Sequence, residues 1–349
     1  MPARSGFAAR DFMRLLQRIK YAVLSHYRCY KVLERWYRRL APGPSGKYYP
    51  TLLGIELTTL CNSKCRFCTH DTLVHSGQRK AGHMPLAFAN QVLERLRELV
   101  RLQGVPERAV HFSPTGLGSP LLYPHLFDVI DRARQLFPKA HIRFSSNGIE
   151  LTGEVVDRLI GSAVDSNVFS LCYNDPGTYF REMGVDKYGV VRENLENYLR
   201  RKGDRGPRAI IHIFDVPENR EAFPAFIRQW APLLGKGDFA GLYGYLALTD
   251  RSPRAGVRYP CSQLWNVLMV DLEGYVFPCC LGTWRERDDD LCLGRIGDDF
   301  AALLARLAEV RARHMAGDYR GCAECAYLSA GGDENRRHFA RLKRRGLVP

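Results

Sequence analysis

Between residues 51 and 250 the chain alternates short apolar, often β-branched stretches with longer segments whose apolar residues recur at helical spacing. The first kind predicts strands at 52–58, 109–114, 140–145, 166–172, 208–214 and 239–248. The second predicts helices at 85–103, 123–136, 152–161, 188–202 and 218–234. Regular strand–helix alternation implies an α/β fold with a parallel sheet and right-handed crossovers. Units of this kind build an open sheet or partial barrel, and ligands sit at the C-terminal ends of its strands.

On either side the pattern changes. Residues 11–40 place Phe12, Leu15, Leu16, Ile19, Val23, Tyr27, Tyr30, Leu33, Tyr37 and Leu40 at helical spacing, with Arg and Lys over much of the remainder. The run Ala41-Pro42-Gly43-Pro44-Ser45-Gly46 then breaks that helix. Two readings stay open for it: packing on the main domain, or docking to a membrane surface or a protein partner. After residue 255, segments 267–272 and 275–277 flank Glu273-Gly274 as a β-hairpin, and a helix follows at about 298–315. The expected divisions are 1–46 (basic helix and linker), 47–254 (α/β core), 255–335 (a small cysteine-bearing module) and 336–349 (a basic tail).

Composition narrows the class. With 46% apolar and 25% charged residues over 349 positions, the chain can bury a sizeable core. No apolar run approaches the roughly 20 residues that cross a bilayer. The N-terminus lacks the apolar core and cleavage site of a secretory signal. The expected location is the cytoplasm, peripheral to a membrane should the basic helix meet one. The net charge of +14 gathers largely at 10–39 and 336–345. Such ends attract nucleic acid, anionic lipid or an acidic partner, or stay solvated. No nucleic-acid recognition motif accompanies them, so nucleic acid is not an expected partner. The 11 cysteines are an odd number in a chain expected in the cytosol, which argues against a disulfide framework. Their clustering points to metal.

Cys61, Cys65 and Cys68 form a C-x3-C-x2-C run directly after the first strand. Three thiolates on one loop can bind three irons of a [4Fe–4S] cluster and leave the fourth without a protein ligand, as catalysis requires. The alternative is a zinc site completed by His70. The run, with Phe67 as its aromatic, resembles the signature of the radical SAM superfamily. The resemblance implies a partial (β/α)6 TIM-like barrel whose open iron binds S-adenosylmethionine. Reductive cleavage of that cofactor yields a 5′-deoxyadenosyl radical, which removes hydrogen from substrate. The backbone near Phe67 would contact adenine. Gly116-Leu117-Gly118-Ser119-Pro120-Leu121-Leu122-Tyr123-Pro124 is similar to the family's G-x-G-E-P-L-L-x-P segment, which holds the methionine amino group. Ser119 stands where the family usually has Glu, a weaker partner for an ammonium. Ser145-Ser146-Asn147-Gly148 resembles the family's T/S-N-G, which assigns Ser145 and Asn147 to the cofactor.

Cys261, Cys279, Cys322 and Cys325 are a second, four-thiolate set, whose chemistry alone suits zinc as well as [4Fe–4S]. The sequence around them, with Gly274, Gly294 and Gly297, resembles the SPASM/twitch extension of radical SAM enzymes. That resemblance makes the four cysteines ligands of an auxiliary [4Fe–4S] cluster and leaves Cys280 out. A second cluster can accept an electron from a substrate radical, which permits net oxidation. Relatives with one such cluster include a dehydrogenase of aminocyclitol biosynthesis and enzymes that modify peptides.

Cys172, at the end of the fourth strand, is either a hydrogen-atom donor to a substrate radical or a buried small hydrophobe. Cys292 has the same two readings. Tyr243, Tyr245, Asp250 and Arg251 follow the sixth strand and are candidates to reach substrate. The expected activity is dehydrogenation or epimerisation of a small polar substrate such as a sugar or aminocyclitol, with flavodoxin or ferredoxin as electron donor. The alternatives are a peptide-modifying enzyme and a non-catalytic zinc or iron–sulfur protein. Peptide-modifying relatives often carry an N-terminal precursor-binding domain, for which the single helix ahead of the first strand is short.

Overall fold

A computed structural model describes residues 26–40, 51–244, 259–284, 290–322, 325 and 332–344. Helix α1 (Tyr27–Leu40) leads into strand β1 (Leu52–Ile55), short helix α2 (His70–His75) and helix α3 (Leu86–Leu102). Four strand–helix steps follow: β2 (His111–Ser113) and α4 (Leu126–Leu136), then β3 (His141–Ser146) and α5 (Gly153–Gly161), then β4 (Ser166–Cys172) with α6 (Pro176–Met183) and α7 (Tyr188–Lys202), then β5 (Arg208–Phe214) and α8 (Pro217–Trp230). Strand β6 (Phe239–Tyr243) closes the series. β1 to β6 are parallel and lie in sequence order across the sheet, as the alternation predicts.

Each strand turns alternate residues to the helix layer. On β5, Ala209, Ile211 and Ile213 are fully buried. On β4, Phe169 meets Tyr198 of α7 edge-on, with ring centroids 5.4 Å apart. Val92, Leu96, Val129, Leu159, Leu195, Phe226 and Trp230 complete that layer. The opposite face and the C-terminal strand ends are left for the site.

The C-terminal module is continuous with this sheet. Helix α9 (Gln263–Asn266) runs into β7 (Val267–Val270), which pairs in parallel with β1, Leu53 opposite Leu268 and Gly54 opposite Met269. A Cβ on Gly54 would collide with the Met269 thioether, so glycine is what lets the strands meet. β8 (Tyr275–Phe277) returns antiparallel as the predicted hairpin, with Gly274 at φ +87°, and β9 (Gly294–Arg295) completes a nine-stranded sheet. Helix α10 (Phe300–Met315) is capped by Asp299, whose side chain accepts from the Ala302 amide at 3.3 Å.

One expectation changes, and two fall partly outside the described residues. Residues 336–344, read as a tail, belong to helix α11 (Gly332–Arg344), because Asn335 is fully buried and its side chain accepts from the Ser262 amide at 2.9 Å. Strand β6 ends at Tyr243, and residues 245–248 of its predicted range lie outside the described residues. In the N-terminal helix only 27–40 are described as helical, and 11–25 lie outside the described residues. Its first turns pack on the barrel: Tyr30 donates to the Leu242 carbonyl at 2.8 Å, and Lys31 meets Asp215 at 2.9 Å. Among the described residues no helix is long and apolar enough to cross a membrane.

Candidate active site

The three-cysteine loop leaves the C-terminal end of β1 and is held on both sides by backbone. Thr59 donates through its hydroxyl to the Lys80 carbonyl at 2.7 Å, and Thr58 to the Gly82 carbonyl at 3.1 Å. The Lys64 and Arg66 amides donate to Met183 and Glu182 carbonyls at 3.0 and 2.9 Å, at the end of α6. Asp175 caps the start of α6 and Gly184, at φ +68°, ends it. A Cβ on Gly184 would lie 2.5 Å from the Lys64 carbonyl oxygen. The loop therefore sits on a helix end that only glycine can terminate.

Its three cysteines are half-buried. Burial raises the Cys65 thiol well above its ordinary value, and repulsion from Cys172, Cys68 and Cys61 adds to it. Burial also raises Cys61, and it pushes Cys68 up to about 11. Thiols so placed keep their protons until a cation replaces them, as metal binding does. Among the described residues no three Cys, His, Asp or Glu side chains are arranged to hold a single metal ion, in this loop or in the C-terminal module. A four-iron cube instead takes each sulfur on a different iron. His70 has its Nε2 committed to the Thr59 carbonyl at 2.6 Å, which leaves the zinc alternative only a buried Nδ1.

The segment predicted to hold the methionine end lies flat on this loop. A Cβ on Gly118 would come within 2.5 Å of the Leu60 carbonyl oxygen and 2.6 Å of that of Thr58, and one on Gly116 would strike Glu56. Both glycines thus serve close backbone approach. The Ser119 amide donates to the Leu60 carbonyl at 2.8 Å, while its buried hydroxyl has no hydrogen-bond partner among the described residues. An orphaned hydroxyl beside the cysteine loop fits a bound polar ligand such as the cofactor's amino group. Asn147 donates to Asn62 at 2.7 Å and to Ser63 at 2.9 Å, so its amide braces the cysteine loop directly. The Ser145 amide donates to the Thr115 hydroxyl at 3.1 Å. Phe67 meets Phe214 edge-on, centroids 5.0 Å apart.

Cys172 sits in a bulge of β4, in the left-handed conformation at φ 64°, and is 2% exposed. Such a backbone is strained for a residue with a Cβ. Burial, and then repulsion from Cys68, raise its thiol, and its sulfur faces the Ser170 carbonyl at 3.4 Å.

In the C-terminal module Cys261, Cys279, Cys322 and Cys325 are all buried. The Cys261 thiol is driven up by burial and then by repulsion from Cys279, Cys322 and Cys325, which are buried in the same module. The Leu281 amide donates to the Cys279 sulfur at 3.3 Å, and Cys280 turns toward Gln263, 3.7 Å away. Cys292 lies 3.7 Å from the Gly294 carbonyl. Tyr245, Asp250 and Arg251 lie outside the described residues. Tyr243 stacks on buried His212 with centroids 4.9 Å apart. Burial alone lowers the His212 imidazole to about 4, so it is neutral.

The sequence reading missed a buried charge cluster of Glu56, Arg79 and Asp271. Arg79 lies 2.5 Å from Glu56 and 3.5 Å from Asp271. Only the apolar setting of Glu56 between Ile55 and Leu57 hinted at it.

A parallel partial barrel with three cysteines after its first strand, and a four-cysteine module on that same strand, defines an iron–sulfur enzyme. The sequence profile of the Radical SAM superfamily matches residues 55–229, half of the chain, and the chain belongs to that superfamily. Its cofactors are the family's [4Fe–4S] cluster and S-adenosylmethionine. Mycofactocin maturase MftC of Mycobacterium tuberculosis strain H37Rv is 32% identical over 113 residues, 32% of this chain and 24% of MftC. The chain thus matches about a quarter of the length of that curated relative. BtrN in complex with AdoMet and 2-DOIA superposes with a TM-score of 0.51 at 16% identity, over 79% of this chain and 92% of BtrN. A second neighbour, anSMEcpe with bound AdoMet and Cp18Cys peptide, gives a TM-score of 0.55 at 14% identity, over 81% of this chain and 88% of its own.

Proposed function

We propose that this radical SAM enzyme removes hydrogen from an alcohol carbon of a small polar substrate, a sugar or aminocyclitol, and oxidises that alcohol. The presence of four buried thiols in a module joined to β1 supports this most. Cys61, Cys65 and Cys68 would hold the first cluster, and Cys261, Cys279, Cys322 and Cys325 the second. Bound there, the family's cluster and S-adenosylmethionine supply the hydrogen-abstracting radical, and the second cluster supplies an electron acceptor. The chain's own part is positional. The Ser119 hydroxyl receives the amino group, Gly116 and Gly118 let backbone approach it, and Phe67 lines the adenine side. Ser145 and Asn147 brace the cofactor pocket from β3. Tyr245, Asp250 and Arg251 are the candidates for holding the substrate hydroxyl.

Epimerisation would ask a thiol to return a hydrogen atom, and Cys172 is the candidate. Its 2% exposure against the cluster cysteines favours oxidation over that outcome. A second reading, peptide modification, draws on the identity shared with MftC and on the peptide bound by anSMEcpe. Flavodoxin or ferredoxin would supply the reducing electron, and α1 remains a candidate docking element for a membrane or protein partner.

Anaerobic turnover with aminocyclitols, sugars and Cys-containing peptides, followed by mass spectrometry, tests the reading. Loss of two hydrogens from a polyol, in step with 5′-deoxyadenosine, is the expected result. Turnover of peptides alone overturns it. Solvent deuterium entering an otherwise unchanged sugar identifies epimerisation instead.

A further inference from the structure

We infer that Glu56 and Arg79 are positioning residues for the cofactor: through Asp271 they tie the segment 116–119 to the C-terminal module, so that the seating of the module sets the geometry of the cofactor site. This rests on reading 116–119 as the segment that holds S-adenosylmethionine.

The three charged side chains are 0%, 2% and 1% exposed, with Glu56 the most deeply placed. Glu56 extends the line of β1, beyond its last residue. One carboxylate oxygen accepts from the Leu117 amide at 2.9 Å, between the two glycines of the cofactor segment. The other accepts from the Leu272 amide at 3.2 Å, in the hairpin of the module. Arg79 reaches the same oxygen at 2.5 Å and donates to the Thr283 carbonyl, again in the module, at 2.5 Å. Its own amide is fixed to the Leu73 carbonyl at the end of α2, 2.9 Å away. Asp271 accepts from the Glu273 and Tyr275 amides at 2.9 and 2.8 Å, so it shapes the hairpin turn as well as facing Arg79.

Two carboxylates share one guanidinium out of contact with water. A buried ion is costly unless paired, so this arrangement tolerates little displacement of any member. Leu117 stands between residues that have no Cβ, and glycine flanks give backbone more freedom than any other residue. The Glu56 carboxylate removes that freedom at an amide two residues before Ser119, the proposed amino-group site. The removal works only while Arg79 is itself anchored, and its anchors lie on α2 and on the module.

A second buried pair supplies the comparison. Lys202 and Asp238 are 3.0 Å apart, 2% and 0% exposed, at the far edge of the sheet, where Asp238 also accepts from the Ala209 amide at 2.8 Å. It stabilises the core in the same way and touches no part of the site.

Glu56→Gln, Arg79→Met and Lys202→Met are compared in the full chain after anaerobic reconstitution, by iron content, melting temperature and equilibrium dialysis of S-adenosylmethionine. Glu56→Gln and Arg79→Met are expected to keep their iron and to bind the cofactor about tenfold more weakly, an ordinary size for coupling between sites. Lys202→Met is expected to melt earlier with its cofactor affinity unchanged. Should Arg79→Met not fold, Glu56→Gln decides alone. Unchanged affinity in Glu56→Gln, or equal weakening in Lys202→Met, overturns the inference. Ser119→Ala separates the two layers. If it and Glu56→Gln are both silent, the reading of 116–119 fails; if it weakens binding while Glu56→Gln does not, only the tie fails.

Discussion

Gly184→Ala is the sharpest local perturbation of the cysteine loop. Gly184 has φ +68°, and a Cβ there would lie 2.5 Å from the Lys64 carbonyl oxygen and 3.0 Å from its carbon. The left-handed backbone costs a residue with a Cβ about 1–2 kcal/mol. The clash is with main chain, which has no rotamer to swing away, so the loop between Cys61 and Cys65 must yield by nearly an ångström to restore ordinary contact. Together these effects come to roughly 2–4 kcal/mol, the upper range for a single substitution. The burden falls on the amide of Lys64, bound to the Met183 carbonyl at 3.0 Å, one residue before a proposed cluster ligand. Iron and sulfide assays with visible and paramagnetic spectra are the readout. Gly184→Ala should lose about half of its iron, the share of one of two cubes, with the module's signal intact. Gly189→Ala is the control, since nothing lies within 4 Å of a Cβ at that position on α7. Full iron and unaltered spectra in Gly184→Ala would refute the reasoning.

Cys325→Ser should remove the module's iron and leave the first cluster's spectrum; loss of both signals, or of neither, contradicts separate sites. Ser119→Ala should weaken S-adenosylmethionine binding by about fivefold, the worth of one hydrogen bond near 1 kcal/mol, with little change in melting temperature; equilibrium dialysis reports it. Burial pushes Glu56 up from 4.5 to about 7 against the pull of Arg79. The folded protein then holds a proton that the unfolded chain releases, so Glu56 contributes stability below 4.5 that is lost as pH rises toward about 7, up to about 3 kcal/mol. The urea midpoint of the unchanged protein should fall relative to that of Glu56→Gln as pH rises through that window; a constant gap contradicts the shift.

The barrel was legible because its strands are local in character. β5 is one unbroken apolar run from Ala209 to Phe214 except for His212, and α7 carries Val191, Leu195 and Tyr198 at helical spacing. The short helices α2 and α6 span too few residues for periodicity, although Asp175-Pro176 and Gly184 mark both ends of α6. The pairing of β7 with β1 left no trace in spacing, since it depends on Gly54 meeting Met269 across the length of the core. The cysteines were legible because metal chemistry demands one residue type. The Glu56 cluster was not: Arg79 lies 23 positions away, and Leu272 216 positions away, and any single buried charge reads as an exception. Gly116 and Gly118 were legible as special positions, and the structure adds that the cysteine loop itself is what they must admit.

The central claim is that the loop of Cys61, Cys65 and Cys68 generates the radical. Release of 5′-deoxyadenosine from S-adenosylmethionine by the chemically reduced protein, compared with Cys65→Ala, tests it most directly. The unchanged protein should release it, and Cys65→Ala should release none while its module keeps its iron. Release by Cys65→Ala, or none from fully loaded unchanged protein, would contradict the account.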